Sequence, residues 1–210
     1  PDATTQTVIG FEEGIGGFVP LVRINRLVDG SVNEGVLKEG DVILACGGVL
    51  SPRMRGFREA IAATTGHTLP VRVLRDGSVL DVEMRVSRSG LVNPVPKAEV
   101  FPGYAWDTPL LAMPMKVVHG EDGDVRTVAS EIPDGILPGT RWVSVNGHGV
   151  SSWRDVWSQF HEAAAAGQAS IEVVLENPAP ANDLRHITLP VTIQQRDHIA
   201  ALTWQPSISA

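Results

Sequence analysis

The residues able to do chemistry in this chain are few and scattered. Six histidines stand at positions 67, 119, 148, 161, 186 and 198. His161-Glu162 opens like a helical zinc-hydrolase motif, in which a second histidine one turn later puts both imidazoles on one metal; Ala165 occupies that place. The single cysteine, Cys46, lies in the apolar run 42–46 and reads as a buried core thiol. One cysteine excludes an internal disulfide and a cysteine-based zinc site. There is no Gly-x-Ser-x-Gly nucleophile elbow. Glu121, Asp122 and Asp124 read as a solvated turn rather than a calcium loop. Gly14-Ile15-Gly16-Gly17 begins like a dinucleotide loop, but Val19 stands where the third glycine belongs and no helix is expected after it. The expectation is a chain with no catalytic centre, no metal and no cofactor of its own.

Composition narrows the partners. The net charge of −7 and a pI near 5.3 leave no basic face to displace counterions from nucleic acid or to adsorb to anionic lipid. With 43% hydrophobic and 20% charged residues the chain can bury a core. No apolar run approaches the roughly 20 residues that span a bilayer. The chain begins at Pro1, which is read as a piece of a longer protein or a mature form, and the piece is expected to be monomeric.

Any functional side chain must be positioned by a duplicated unit. Leu37-Lys38-Glu39-Gly40-Asp41, followed by Ile43 to Gly48, is repeated as Ile136-Leu137-Pro138-Gly139-Thr140, followed by Trp142 to Gly147. Gly40 and Gly139 are 99 positions apart (139 − 40), and the same offset carries Met54 to Trp153, Phe57 to Val156 and Ile61 to Phe160. A period of that length is a domain duplication, since solenoid repeats run about 20–50 residues. In the first unit, 19–28 reads as strand, 31–37 as a helical turn and 41–46 as strand. Residues 53–64 read as a helix with an apolar stripe at 54, 57 and 61 and a stop at Gly66. A hairpin over 71–84 turns at Asp76-Gly77. The second unit repeats this order: a helix over 152–166, a strand over 171–175 and a return strand over 186–191. Residues 89–109 hold four prolines and two glycines and read as a linker or irregular crossover. The predicted organisation is 1–88 and 110–195 as two domains, 89–109 between them, and 196–210 as a last short strand (199–204) and tail. The fold class is mainly β with short helices (α+β), in two partly open barrel or sandwich units.

The run Leu37-Lys38-Glu39-Gly40-Asp41-Val42-Ile43 with Gly48 resembles bacterial PDZ domains. Pro138-Gly139-Thr140, Val145-Asn146-Gly147 and Ser152-Trp153 resemble the first periplasmic PDZ domain of site-two-type intramembrane zinc proteases, the regulator-of-sigma-E kind. Thr140 departs from the aspartate of the general pattern. The resemblance implies peptide binding by strand addition beside a helix, with a terminal carboxylate held on loop amides. It implies Val8, Ile9, Gly10 and Phe11 as the first loop, with Met54, Phe57, Arg58 and Ile61 as the helix wall. In the second unit it implies Leu110, Leu111, Ala112 and Met113, with Trp153, Val156, Trp157 and Phe160. Ala112 replaces the loop glycine there. For Phe57 and Val156 a core position competes with the groove and is favoured; Met54 and Trp153 stand between the two.

The resemblance also implies the parent: a membrane-embedded zinc protease whose tandem domains, on the extracytoplasmic side, bind substrate segments or C-termini and filter substrates. Zinc belongs to the catalytic part of that parent. Two alternatives are the corresponding region of a secreted serine protease of the high-temperature-requirement type, and a stand-alone scaffold.

Overall fold

The alternation and turns read from sequence produce antiparallel sheets in this computed structural model, which describes residues 15, 17–89, 94–113, 115–119, 125–129 and 135–191. The first half holds β1 (Val19–Pro20), β2 (Val22–Leu27), β3 (Val42–Cys46), β4 (Val49–Leu50), α1 (Met54–Ala62), β5 (Thr68–Arg75), β6 (Ser78–Arg85), β7 (Ser87–Ser89), β8 (Val95–Lys97) and β9 (Val100–Tyr104). The second holds β10 (Leu111–Ala112), β11 (Met115–His119), β12 (Val125–Ala129), β13 (Arg141–Val145), β14 (His148–Gly149), α2 (Trp153–Ala165), β15 (Ser170–Glu176) and β16 (Leu184–Pro190). Among the described residues the protein is mainly β with two short helices, and no sheet there closes into a barrel.

The 99-residue offset recurs in the element bounds. β13, β14 and α2 each begin 99 residues after β3, β4 and α1 (141 − 42, 148 − 49 and 153 − 54). The central sheets correspond as well: β6-β5-β3-β2-β9, with β4 on β3, in the first half, and β14-β13-β15-β16 in the second. Gly40 and Gly139 adopt φ of 93° and 91°, a region that an L side chain enters only with strain, so the glycine recurs at this turn. In β5, Leu69, Val71 and Val73 point inward on alternate positions, and Phe57 and Ile61 of α1 close over them. Burying a side chain such as Phe57 contributes about 2–3 kcal/mol. The α2 helix is capped by Ser152, whose hydroxyl accepts the Asp155 N–H, and Gly167, at φ 72°, turns the chain just past its last residue, Ala165.

Two features depart from the sequence reading. Residues 89–109, expected as an irregular crossover, contain β8 and β9, and β9 pairs antiparallel with β2 from Val22↔Tyr104 to Leu27↔Val100. Proline removes a ladder donor, but among the described residues β9 ends its sheet and β8 pairs only with β7, so Pro96 and Pro102 sit in edge strands. The expected continuous strand 19–28 is broken at Leu21. Its first part, β1, leaves the first half's sheet and pairs with β10, Val19↔Ala112 and Pro20↔Leu111. The buried residues accordingly form three clusters: one in each half, and a third at the junction around Val19, Leu21, Val42, Ala105 and Ala112. The expected loop Val8, Ile9, Gly10 and Phe11 and the expected strand 199–204 lie outside the described residues.

Candidate peptide-binding edges

The turn before the central strand is held in both halves, by different chemistry. Asp41 is buried; its carboxylate accepts the Lys38 N–H at 2.8 Å and two bonds from Arg75 at 2.7 Å each, while Arg75 also donates to the Val36 carbonyl. In the second half Thr140 replaces the aspartate. Its hydroxyl lies 2.6 Å from the Leu137 carbonyl and 2.5 Å from Asn177 Oδ1, and accepts the Leu137 N–H at 3.2 Å. Asn177 stands in for Arg75, donating to the Gly135 carbonyl and to Asp183. That bond, followed by the Arg185 charge, holds Asp183 below the usual carboxylate range. The buried Asp41 carboxylate and Thr140 hydroxyl are both hydrogen-bonded, and only in the first half is the turn residue itself charged.

Beside each helix lies a strand edge. Helix α1 packs against β4, β8 and β9. Among the described residues the outer edge of β9 carries no ladder partner, and Phe101, 45% exposed, lies under the Arg26 guanidinium at 4.3 Å. Of the expected helix wall, Phe57 and Ile61 are core residues, Met54 is half-buried against the same cluster, and Arg58 is exposed. The strip 94–99 is pinned to the sheet by Asn33, fully buried. Its amide donates to the Arg85 and Ala98 carbonyls at 2.8 and 2.6 Å and accepts the Arg85 N–H at 2.7 Å. Glu99, bonded by Ser87 and by the Val32 amide, is held below the ordinary carboxylate range.

The second edge is already occupied. Leu110, Leu111, Ala112 and Met113 run past the start of α2: Trp153 Nε1 donates to the Leu110 carbonyl at 2.6 Å, and the Leu111 and Met113 amides donate to the carbonyls of Thr140 and Ser51. A terminal carboxylate therefore finds the Leu111 and Met113 amides already bonded. Trp153, Val156 and Phe160 are buried, and Trp157 is half-buried between the second core and the junction cluster. The free side of β10 is taken by β1, and with it Ile15 and Phe18 are buried in the second half's core. Phe18 meets Trp142 edge-on at 5.8 Å, and Trp142 meets Trp153 at 5.3 Å. Arg53, the residue that enters α1, donates to the Gly17 carbonyl at 2.9 Å, so the same segment is gripped from the first half. Sequence reasoning missed this segment because Ile15, Phe18 and Val19 are ordinary strand residues whose partner sheet no local pattern specifies.

Cys46 is buried, and burial pushes its thiol up to about 12. His161 lies on α2 with Ala165 one turn on, and among the described residues no group of three His, Cys, Asp or Glu could hold a metal ion. No helix among the described residues is long and apolar enough to cross a membrane. An open groove lies on the first sheet between Leu50, Pro70 and Val82, flanked by the Arg72–Asp81 ion pair. No family model matches the chain, and no curated protein matches it.

Proposed function

We propose that the chain is a tandem of peptide-binding domains of the PDZ type, non-catalytic in itself, that takes extended polypeptide segments by adding them to a strand edge beside a helix. The observation that carries this reading is β1 on β10. An extended segment lies antiparallel on a strand edge next to the N-terminus of a helix, with an aromatic side chain driven into the core beneath. Strand addition gives affinity through the main chain and specificity through alternate side chains. The edge of β9 that has no ladder partner among the described residues lies beside α1 and is a second place of the same kind.

In the finer form of the proposal, the tandem belongs to a membrane-embedded zinc protease of the site-two type, stands on the extracytoplasmic side, and admits trimmed substrate ends while holding back intact ones. The repeat, Gly40-Asp41 and the Ser152-Trp153 helix start support it. The test is a binding scan of the purified chain against peptides with free apolar C-termini and their amidated twins, with Gly10→Glu as the loop variant. Saturable binding of the free acids, lost on amidation and in the variant, is expected. Equal binding of acids and amides would remove terminus reading from the account, and no binding of either would remove peptide recognition altogether.

A further inference from the structure

We infer that Ile15 and residues 17–20 are a built-in occupant of the second half's binding edge, and that a ligand reaches this edge by displacing them. The inference rests on the strand-addition reading above and says which site is regulated and what it accepts. The segment behaves as a bound peptide does. Its ladder is short, two residue pairs to β10, and its hold comes from side chains: Ile15 and Phe18 fully buried, Phe18 against Trp142, and the Gly17 carbonyl gripped by Arg53. Ile15 and Phe18 also exchange backbone bonds at 2.9 and 3.0 Å, folding the segment into a tight loop that presents the aromatic ring. The occupant thus reports the specificity of the edge: an uncharged segment with a tight turn that ends on an aromatic anchor, followed by an extended β-branched residue. A carbonyl just before the anchor would accept from Arg53. The segment continues through Leu21 directly into β2, so its effective concentration at the edge is at least of millimolar order, and a free peptide competes poorly until the segment is weakened.

The test uses the full chain and a labelled peptide of residues 13–21, read by fluorescence anisotropy. Phe18→Ala, which removes the anchor but leaves β10 and α2 intact, is expected to bind the peptide at least tenfold more tightly than the wild type. A peptide carrying the same Phe-to-Ala change should bind neither protein. A Phe18→Ala chain that retains its far-UV circular dichroism yet binds no more tightly than wild type overturns the inference. Should that variant fail to fold, native-state hydrogen exchange of the wild type decides. The Phe18 amide should exchange at least tenfold faster than the Val156 amide of α2 through a local opening; equal rates overturn the inference. Failure here with success in the C-terminal scan would leave the strand-addition reading standing and make Ile15 and residues 17–20 a permanent part of the fold. Success here with failure in the scan would keep strand exchange and discard terminus recognition.

Discussion

Replacing Asp41 by Thr imports the second half's residue into the first half's turn and leaves Arg75 facing it without a counter-charge. Removing one partner of a buried pair costs about 3–5 kcal/mol. Asp41 has no exposed side-chain surface, but Arg75 keeps 15% exposure and its bond to the Val36 carbonyl, which places the expected loss near the lower end, about 3 kcal/mol. The threonine hydroxyl can still accept the Lys38 N–H, as Thr140 accepts that of Leu137. Adding Arg75→Asn completes the transplant: the stranded cation is gone and a Thr–Asn pair like Thr140–Asn177 forms. The double variant should sit within about 1 kcal/mol of wild type, the worth of one net hydrogen bond. For a chain of this size about 3 kcal/mol lowers the thermal midpoint by roughly 6–12 °C. Far-UV circular dichroism should be the probe, because all five tryptophans (106, 142, 153, 157 and 204) follow the first half's strands in sequence and none of the described ones belongs to that half's own core cluster. A double variant as unstable as the single one would refute the claim that the two turns are interchangeable solutions to one problem.

Three further outcomes follow from the same contacts. Asn33→Ala strands two carbonyls and an amide at the join of β6 and the 94–99 strip, and should cost about 3 kcal/mol by urea titration while accelerating exchange of the Arg85 amide. Cys46 should resist a thiol reagent at pH 8 in the native state and react at the rate of unfolding. Because its folded pKa is raised, the unfolded state loses a proton first, so this group withdraws stability as pH rises past the ordinary thiol value, about 8.5. Asp155 is lowered by hydrogen bonds from the Ser151 amide and hydroxyl and then from Ser152, and Glu99 is lowered by Ser87. Both stabilise the fold above the ordinary carboxylate range, about pH 4, and release that stability as pH falls through their lowered values. Ser151→Ala should therefore flatten the acid limb of a stability–pH curve.

Much of the fold can be read from local pattern, because local pattern is set by local physics. The stripe at 54, 57 and 61 becomes the α1 face with Phe57 and Ile61 in the core, and Asp76-Gly77, both at positive φ, becomes the β5–β6 turn. The 99-residue offset reappears in the starts of β13, β14 and α2. β9 escaped notice because Pro102 and Gly103 argue against strand unless the strand lies at an edge, and edge position is a property of the whole sheet. The same offset carries Val100–Tyr104 to 199–203, within the short strand expected at the end of the chain and outside the described residues. Asn33, buried and triply bonded, looks like a turn residue in sequence, since its partners lie 52 and 65 positions away. The crossing of β1 to β10 is illegible for a related reason: apolar alternation tells a residue to be buried, and only the assembled molecule tells it in which core.

Strand addition leaves a direct signature on the backbone amides of the bound peptide. The most direct measurement is an isotope-edited nuclear magnetic resonance spectrum of a labelled apolar peptide bound to the unlabelled full chain, with amide exchange recorded along the peptide. The account predicts protection on alternate peptide amides, the signature of a strand hydrogen-bonded along one side to a sheet edge. Saturable binding that leaves every peptide amide in free exchange would contradict it.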